Sequence, residues 1–402
     1  MNKFSTAILK IILLWFSIVL AFTILEVAAK RILKTTRLGQ KVKYLEDRLK
    51  ENVHTIGSYD AYLGWGYLPN TSEKYYTSDY YVDYSINSKG FRDKEISIDK
   101  PLGEFRIVAL GESTVFGEGI NYGKRFTEII QNSLDNVEVI NMGVWGFGAD
   151  QSLLQLEKEG FQFKPDAVIL FVIQDFFERC KMYQRSMLGI KPRFVLNDNK
   201  DDIVLQDINF IKDKFSINIH PETSAPQLKN IPKAPVLSFI ERSSLFSLLN
   251  SKKKILEINK MTADIDRSRL QGIGEQLEKD MKRGFVYKGK DFERLVFLMI
   301  KRYQEECKRN STDFILVYID RNKGYFLKYF ANSCRDLGVK YIDLSDVLLK
   351  ASNNYPLRFN IDPHYNEFAH RVIGEYVSGY IGKQYNLVRN KGYIYKWLGY
   401  FN

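Results

Sequence analysis

The run Ala167-Val-Ile-Leu-Phe-Val-Ile173 contains no polar side chain. A stretch this short and this apolar has no wet face to offer, which predicts a strand covered on both sides, as in a parallel sheet between two layers of helices. Ile107 to Leu110 is a second such run, and Val137 to Asn141, Asp313 to Ile319 and Lys340 to Leu344 read as further strands. Phe126 to Leu134, Gln151 to Glu159, Phe292 to Lys308 and Tyr325 to Leu337 read as the intervening helices. Alternation of this kind predicts an α/β fold of three layers, α/β/α, around a central parallel sheet.

Open sheets of this class bind ligands beyond the carboxyl ends of their strands. The Ile107 to Leu110 run ends there in Gly111-Glu112-Ser113, where the glycine frees the backbone for a sharp turn. Ser113 is either a nucleophile, if a histidine reaches it, or the cap of the next helix. Far downstream, Asn360-Ile-Asp-Pro-His-Tyr-Asn366 places Asp362 two residues before His364. Pro363 stiffens the link, and an amphipathic helix, Phe368 to Tyr376, follows. An imidazole and a carboxylate to orient it can thus be presented together. His370, six residues on, reads as structural.

In these blocks the sequence resembles the SGNH (GDSL-like) serine hydrolase superfamily. Gly111-Glu-Ser113 resembles the nucleophile turn, Asn141-Met-Gly-Val-Trp-Gly146 the second block, Val168 to Asp175 the third, and Asp362-Pro-His364 the fifth. The upstream pieces Leu63 to Asn70 and Ile86 to Asp93 are similar to the lead-in of membrane-anchored bacterial members. The resemblance implies Ser113 as nucleophile, His364 as general base and Asp362 as its partner. It also implies an oxyanion hole from the amides of Ser113 and Gly146 with the side chain of Gln174. Three positions depart from the family pattern: Glu112 replaces aspartate, Gln174 replaces asparagine, and Ala369 replaces glycine. Of these the glutamine bears most on rate, since losing one oxyanion donor costs roughly 10²- to 10³-fold.

The N-terminal stretch from Ile11 to Leu25 is interrupted only by Ser17 and Thr23. With its flanks it is long enough to cross a bilayer, at a rise of ~1.5 Å per residue. A retained single-pass anchor is expected over residues 1–36. Counting Lys30, Arg31, Lys34 and Arg37 would keep the body in the cytoplasm. The resemblance implies the extracytoplasmic side, and that is the expectation adopted. The chain then divides into a linker helix and β lead-in (37–100), the first part of the hydrolase core (101–182), a hairpin and helical insertion (183–289), the second part of the core (290–385), and an aromatic, basic tail (386–402). Tyr75 to Tyr84 alternates as strand material with an aromatic face.

A formal charge of +11 suits an anionic surface or polymer, and no nucleic-acid motif accompanies it. The three cysteines, Cys180, Cys307 and Cys334, are too few and too scattered for a disulfide framework or a zinc site. No cofactor or metal is expected. The resemblance implies an acyl ester substrate, and a tether facing the envelope points to O-acetyl groups on a polysaccharide. Transfer of the acyl group to a sugar hydroxyl, non-catalytic glycan binding, and a basic scaffold at the membrane surface are the alternatives.

Overall fold

The structure is a computed structural model that describes residues 3–36, 39–40, 56–77, 79–185, 188–210, 289–321 and 325–390. The helix expected around Val42, Leu45 and Leu49, the helical insertion from Leu237 to Lys282, and the aromatics from Tyr393 onward lie outside the described residues. The chain divides into two units. One comprises Met1–Val53, Thr77–Asp79 and Leu228–Ser268; the other comprises His54–Tyr76, Tyr80–Gln227 and Arg269–Asn402.

In the first unit an α-helix runs from Lys3 to Thr35. Its Ile12–Thr35 portion, 24 residues, is long and apolar enough to cross a membrane. Leu14, Trp15 and Phe16 on it are exposed.

The second unit is built on a five-stranded sheet in the order Lys340–Asp343, Asp313–Tyr318, Ala167–Val172, Phe105–Leu110, Val137–Asn141, with every neighbouring pair parallel. The sheet's first strand in sequence, Phe105–Leu110, lies between its second and third, so the winding direction reverses there. That reversal is where doubly wound sheets open a crevice for a ligand.

Continuous apolar sequence is what two covered faces demand, and alternate residues divide between them. Val108, Leu110, Val168, Leu170, Val172 and Leu316 pack with Leu153 and Leu156 of the Ala149–Lys158 helix and with Leu295, Met299 and Tyr303 of the Lys290–Arg309 helix. Ile107, Ala109, Ile169, Phe171, Ile315 and Val317 pack on the other side with Phe126 and Ile130 of the Phe126–Asn132 helix and with Ile373, Val377 and Ile381 of the Glu367–Gln384 helix. The protein is therefore a three-layer α/β/α fold.

The last of these helices is longer than the expected Phe368 to Tyr376. Its later turns are held by packing against the Phe126–Asn132 helix, where a Cβ on Gly374 would lie 3.1 Å from the carbonyl of Phe126. A glycine that weakens an isolated helix thus permits the close approach that extends this one.

The Tyr75 to Tyr84 stretch forms a hairpin, Ser72–Tyr76 against Tyr81–Ser85, with Tyr76 opposite Tyr81. Tyr75, Val82 and Tyr84 are buried on its inner face, while Tyr76 and Tyr81 are exposed on the outer. Arg193–Leu196 pairs with Ile203–Gln206 as the hairpin expected around that polar turn.

Candidate active site

The Phe105–Leu110 strand ends in Gly111, where a Cβ would meet the Phe171 carbonyl at 3.0 Å and collide with Val115. Only glycine lets the chain turn so close to the neighbouring strand. Glu112 then caps a single helical turn, Ser113–Phe116, its Oε1 accepting from the Thr114 amide at 3.0 Å. The turn closes at Gly117, which is left-handed at φ 82°.

The upstream Gly-Phe-Arg-Asp block braces this turn from the other end. Arg92 is buried and donates to the carbonyls of Phe116 at 2.9 Å, Gly117 at 2.7 Å and Ile120 at 2.5 Å. The Phe116 carbonyl is one that a one-turn helix leaves without an intrahelical partner, and the other two lie in the chain just beyond that turn. Burial, with the charge of nearby Arg125, lowers the Arg92 guanidinium to about 10, so it stays charged at neutral pH.

His364 arrives from the far end of the chain on a loop pinned just beyond it. Asn366 caps the following helix by accepting from Ala369 N at 3.1 Å, and the Tyr365 hydroxyl donates to the Ile319 carbonyl at 2.7 Å. Within the loop Asp362 Oδ1 accepts from the His364 amide at 2.8 Å and lies 2.6 Å from His364 Nδ1. The other ring nitrogen, Nε2, lies 2.8 Å from Ser113 Oγ. Ser113, His364 and Asp362, 251 residues apart at the widest, thus form one hydrogen-bonded row.

Asp362 is 2% exposed and His364 is 27% exposed on its side chain, so the carboxylate is shielded while the ring meets a cavity. Burial works against a charged imidazole here. The hydrogen bond and charge of Asp362, with Glu118 and Glu112, outweigh it and raise the His364 pKa above 6.5. For Glu112, burial favours the acid form, but Arg179, His364 and the bonds from Ser113 and Thr114 prevail, so the carboxyl lies below its ordinary value.

Several contacts to the row come from residues that spacing alone could not single out. The Tyr80 hydroxyl lies 2.9 Å from Glu118 Oε1 and 3.3 Å from Asp362 Oδ2. Arg179 Nη1 lies 3.7 Å from Glu112 Oε2 and donates to the Phe147 carbonyl at 2.8 Å. The sequence signal for these was the proximity of Glu118 to the Gly111–Ser113 turn and the aromatic lead-in containing Tyr80.

A cavity of about 460 Å³ opens onto Ser113 and His364, with Gln174, Asp175, Arg179 and Arg358 in its walls. Gln174 therefore shares a cavity with Ser113. Gly146 is not among the lining residues; it follows Trp145, whose amide donates to Tyr67 Oη at 2.9 Å and whose carbonyl accepts from Trp65 Nε1 at 2.7 Å. The Leu63 to Asn70 block thus buttresses the Gly146 loop. His370 is not part of this row: it is buried, accepts from Phe126 N at 3.1 Å and stacks on the Phe126 ring. Among the described residues no group of three or more His, Cys, Asp or Glu side chains could hold a metal ion.

An α/β/α fold whose winding reversal carries a Ser-His-Asp row defines the general class of the protein. No protein-family model matches the chain, and no curated protein does. Solved structures similar to it include the psychrotrophic esterase EstA from Pseudoalteromonas sp., 12% identical with a TM-score of 0.35, covering 70% of this chain and 100% of that one. The acetyl xylan esterase AlAXEase is 12% identical at a TM-score of 0.33, covering 69% and 100%. A GDSL-like lipase from Bacteroides thetaiotaomicron is 10% identical at a TM-score of 0.34, covering 71% and 92%.

Proposed function

We propose that the protein is a membrane-anchored serine esterase of the SGNH type. The observation that carries this reading is the unbroken row from Ser113 Oγ to His364 Nε2 at 2.8 Å and from His364 Nδ1 to Asp362 Oδ1 at 2.6 Å. Ser113 Oγ attacks the acyl carbonyl carbon, its proton passes to His364 Nε2, and the carbonyl electron pair moves onto oxygen. Asp362 holds the tautomer with hydrogen on Nδ1 and stabilises the imidazolium that forms. Collapse of the tetrahedral intermediate expels the alcohol, which takes the proton from His364. Water, activated by the same imidazole, then releases the acid and restores Ser113.

The amides of Ser113 and Gly146 and the Gln174 side chain are the proposed oxyanion donors. The place of Gln174 in the cavity wall supports its inclusion. Because His364 must be neutral to accept the proton, activity rises with pH through its elevated pKa. The substrate proposed is an O-acetyl ester of an envelope polysaccharide, reached from the outer face of a membrane in which the Ile12–Thr35 helix is embedded. A positive balance of +11 favours an anionic glycan.

The test is hydrolysis of short-chain acyl esters and of an acetylated glycan by the full chain and by Ser113→Ala. Loss of turnover in the variant is expected, and undiminished turnover excludes the assignment. Adding a sugar acceptor to the same assay separates acetyl release from acetyl transfer.

A further inference from the structure

Glu112 does more than cap a helical turn. Its side chain is one methylene longer than aspartate, and while Oε1 holds the Thr114 amide, Oε2 reaches forward to Ser113 Oγ at 2.5 Å. That separation lies in the range of a charge-assisted O–H···O⁻ bond. The same Oγ lies 2.8 Å from His364 Nε2.

Ser113 has one proton to give. When His364 is neutral and its Nδ1–H is committed to Asp362, Nε2 and Glu112 are both acceptors, and only one of them can be satisfied. When His364 carries both protons, Nε2–H donates to Oγ and Oγ donates to Glu112, and every contact in the row is satisfied. We propose that Glu112 is a positioning residue that draws the Ser113 hydroxyl proton away from His364 and favours the doubly protonated, inactive imidazole, so that the resting site is attenuated. This rests on the assignment of Ser113 as nucleophile and His364 as base.

The surroundings hold Glu112 to this task. It is 2% exposed, and Arg179 Nη1 stands 3.7 Å from Oε2. Arg179 is fixed in turn by Asp175 at 3.0 Å. The other charged and titratable groups around the imidazole include Asp362 on its own loop, with Tyr80 behind it; Glu118 beyond the nucleophile turn; Asp320, Arg358, Glu178 and Tyr365 in the cavity walls; and the buried His370 on the following helix. Glu112 differs from all of these in bonding directly to the nucleophile. Attack requires the Oγ proton to cross to Nε2 as Oγ closes on the acyl carbon and the carbonyl pair moves to oxygen. A proton directed at Glu112 is not in line for that transfer.

The probe is an alkyl fluorophosphonate, in which Oγ displaces fluoride at phosphorus, and the readout is its rate of labelling of the full chain in detergent across a pH series. Glu112→Asp keeps the charge but withdraws the oxygen from Oγ. Its labelling rate on the alkaline plateau should exceed the parent's by more than roughly twofold, the factor for relieving a proton held mostly by the competing acceptor. Glu112→Gln removes the charge, its amide oxygen staying with Thr114 N. Its acid limb should move down by about one pH unit, the effect of a carboxylate roughly 5 Å away at an effective dielectric of ~20, partly offset by Arg179. A plateau rate that falls in Glu112→Asp, or an acid limb that stays put in Glu112→Gln, overturns the proposal. If Glu112→Gln does not fold, the Glu112→Asp plateau decides. Labelling of Ser113→Ala at the parent's rate would instead defeat the nucleophile assignment itself, so the two failures are distinct.

Discussion

Lowering the pH should weaken the fold through His370 in a way that one substitution can isolate. The imidazole is 1% exposed, and its Nδ1 accepts the Phe126 amide at 3.1 Å, an arrangement that only the neutral ring can make. Burial, together with the positive charges of Arg125, Arg92 and His364, pushes its pKa down to about 3. An unfolded imidazole titrates near 6.5, so protonation costs roughly 4–5 kcal/mol more in the folded protein than in the unfolded chain. Below pH 6.5 the unfolded chain takes up a proton that the folded state refuses, and stability falls by roughly 1.4 kcal/mol per pH unit down to about pH 3. Groups raised on folding oppose this, Asp93 and His364 among them, together with the buried or half-buried carboxyls of Asp150, Glu157, Glu159 and Glu375. Burial, partly offset by Arg125, raises Asp93 to about 6, and His364 is raised above 6.5, so in their own windows both take up protons more readily when folded. The total slope is therefore a sum, but the difference between the parent and His370→Asn is not. The asparagine places an uncharged amide oxygen near the former Nδ1. Urea unfolding of both proteins from pH 7.5 to pH 4 should show His370→Asn less stable at neutral pH, through the lost ring packing on Phe126, with the gap closing by roughly 1.4 kcal/mol per pH unit below 6.5. A gap that stays constant with pH would refute the reasoning.

Lys191 and Asp150 form an ion pair in which neither side chain is exposed, and Lys191 also donates to the Arg179 carbonyl at 3.3 Å. Lys191→Met should cost about 3–5 kcal/mol by stranding the carboxylate, and Lys191→Met with Asp150→Asn should recover much of that in thermal unfolding; a double variant no better than the single one contradicts the pairing argument. Tyr80→Phe removes a hydroxyl set between Glu118 and Asp362. It should lower kcat by roughly 2- to 10-fold with KM little changed, and unaltered kcat would exclude a part for Tyr80 in holding Asp362.

The sequence determined the layers and the two local turns that carry Ser113 and His364. Runs such as Ala167–Val172 are apolar throughout because both sides of the strand are covered, so they announce a parallel sheet before any contact is known. The turn at Gly111 and the pairing of Asp362 with His364 were legible for the same reason: each is a local arrangement, set by neighbouring residues and their backbone geometry. Tertiary structure decided what lies between distant segments. The strand order, with the first strand between the second and third, brings Ser113 to His364 across 251 residues. Packing of Gly374 against the Phe126 carbonyl carried a helix past the point where its own sequence weakens. The lead-in blocks around Trp65, Tyr80 and Arg92 revealed their work only as braces on the Gly146 loop, on Asp362 and on the turn that carries Ser113. Periodicity records which face of an element is buried, but it does not record which partner a buried polar group meets, and that is why the bond from Ser113 to Glu112 could be read only from the folded chain.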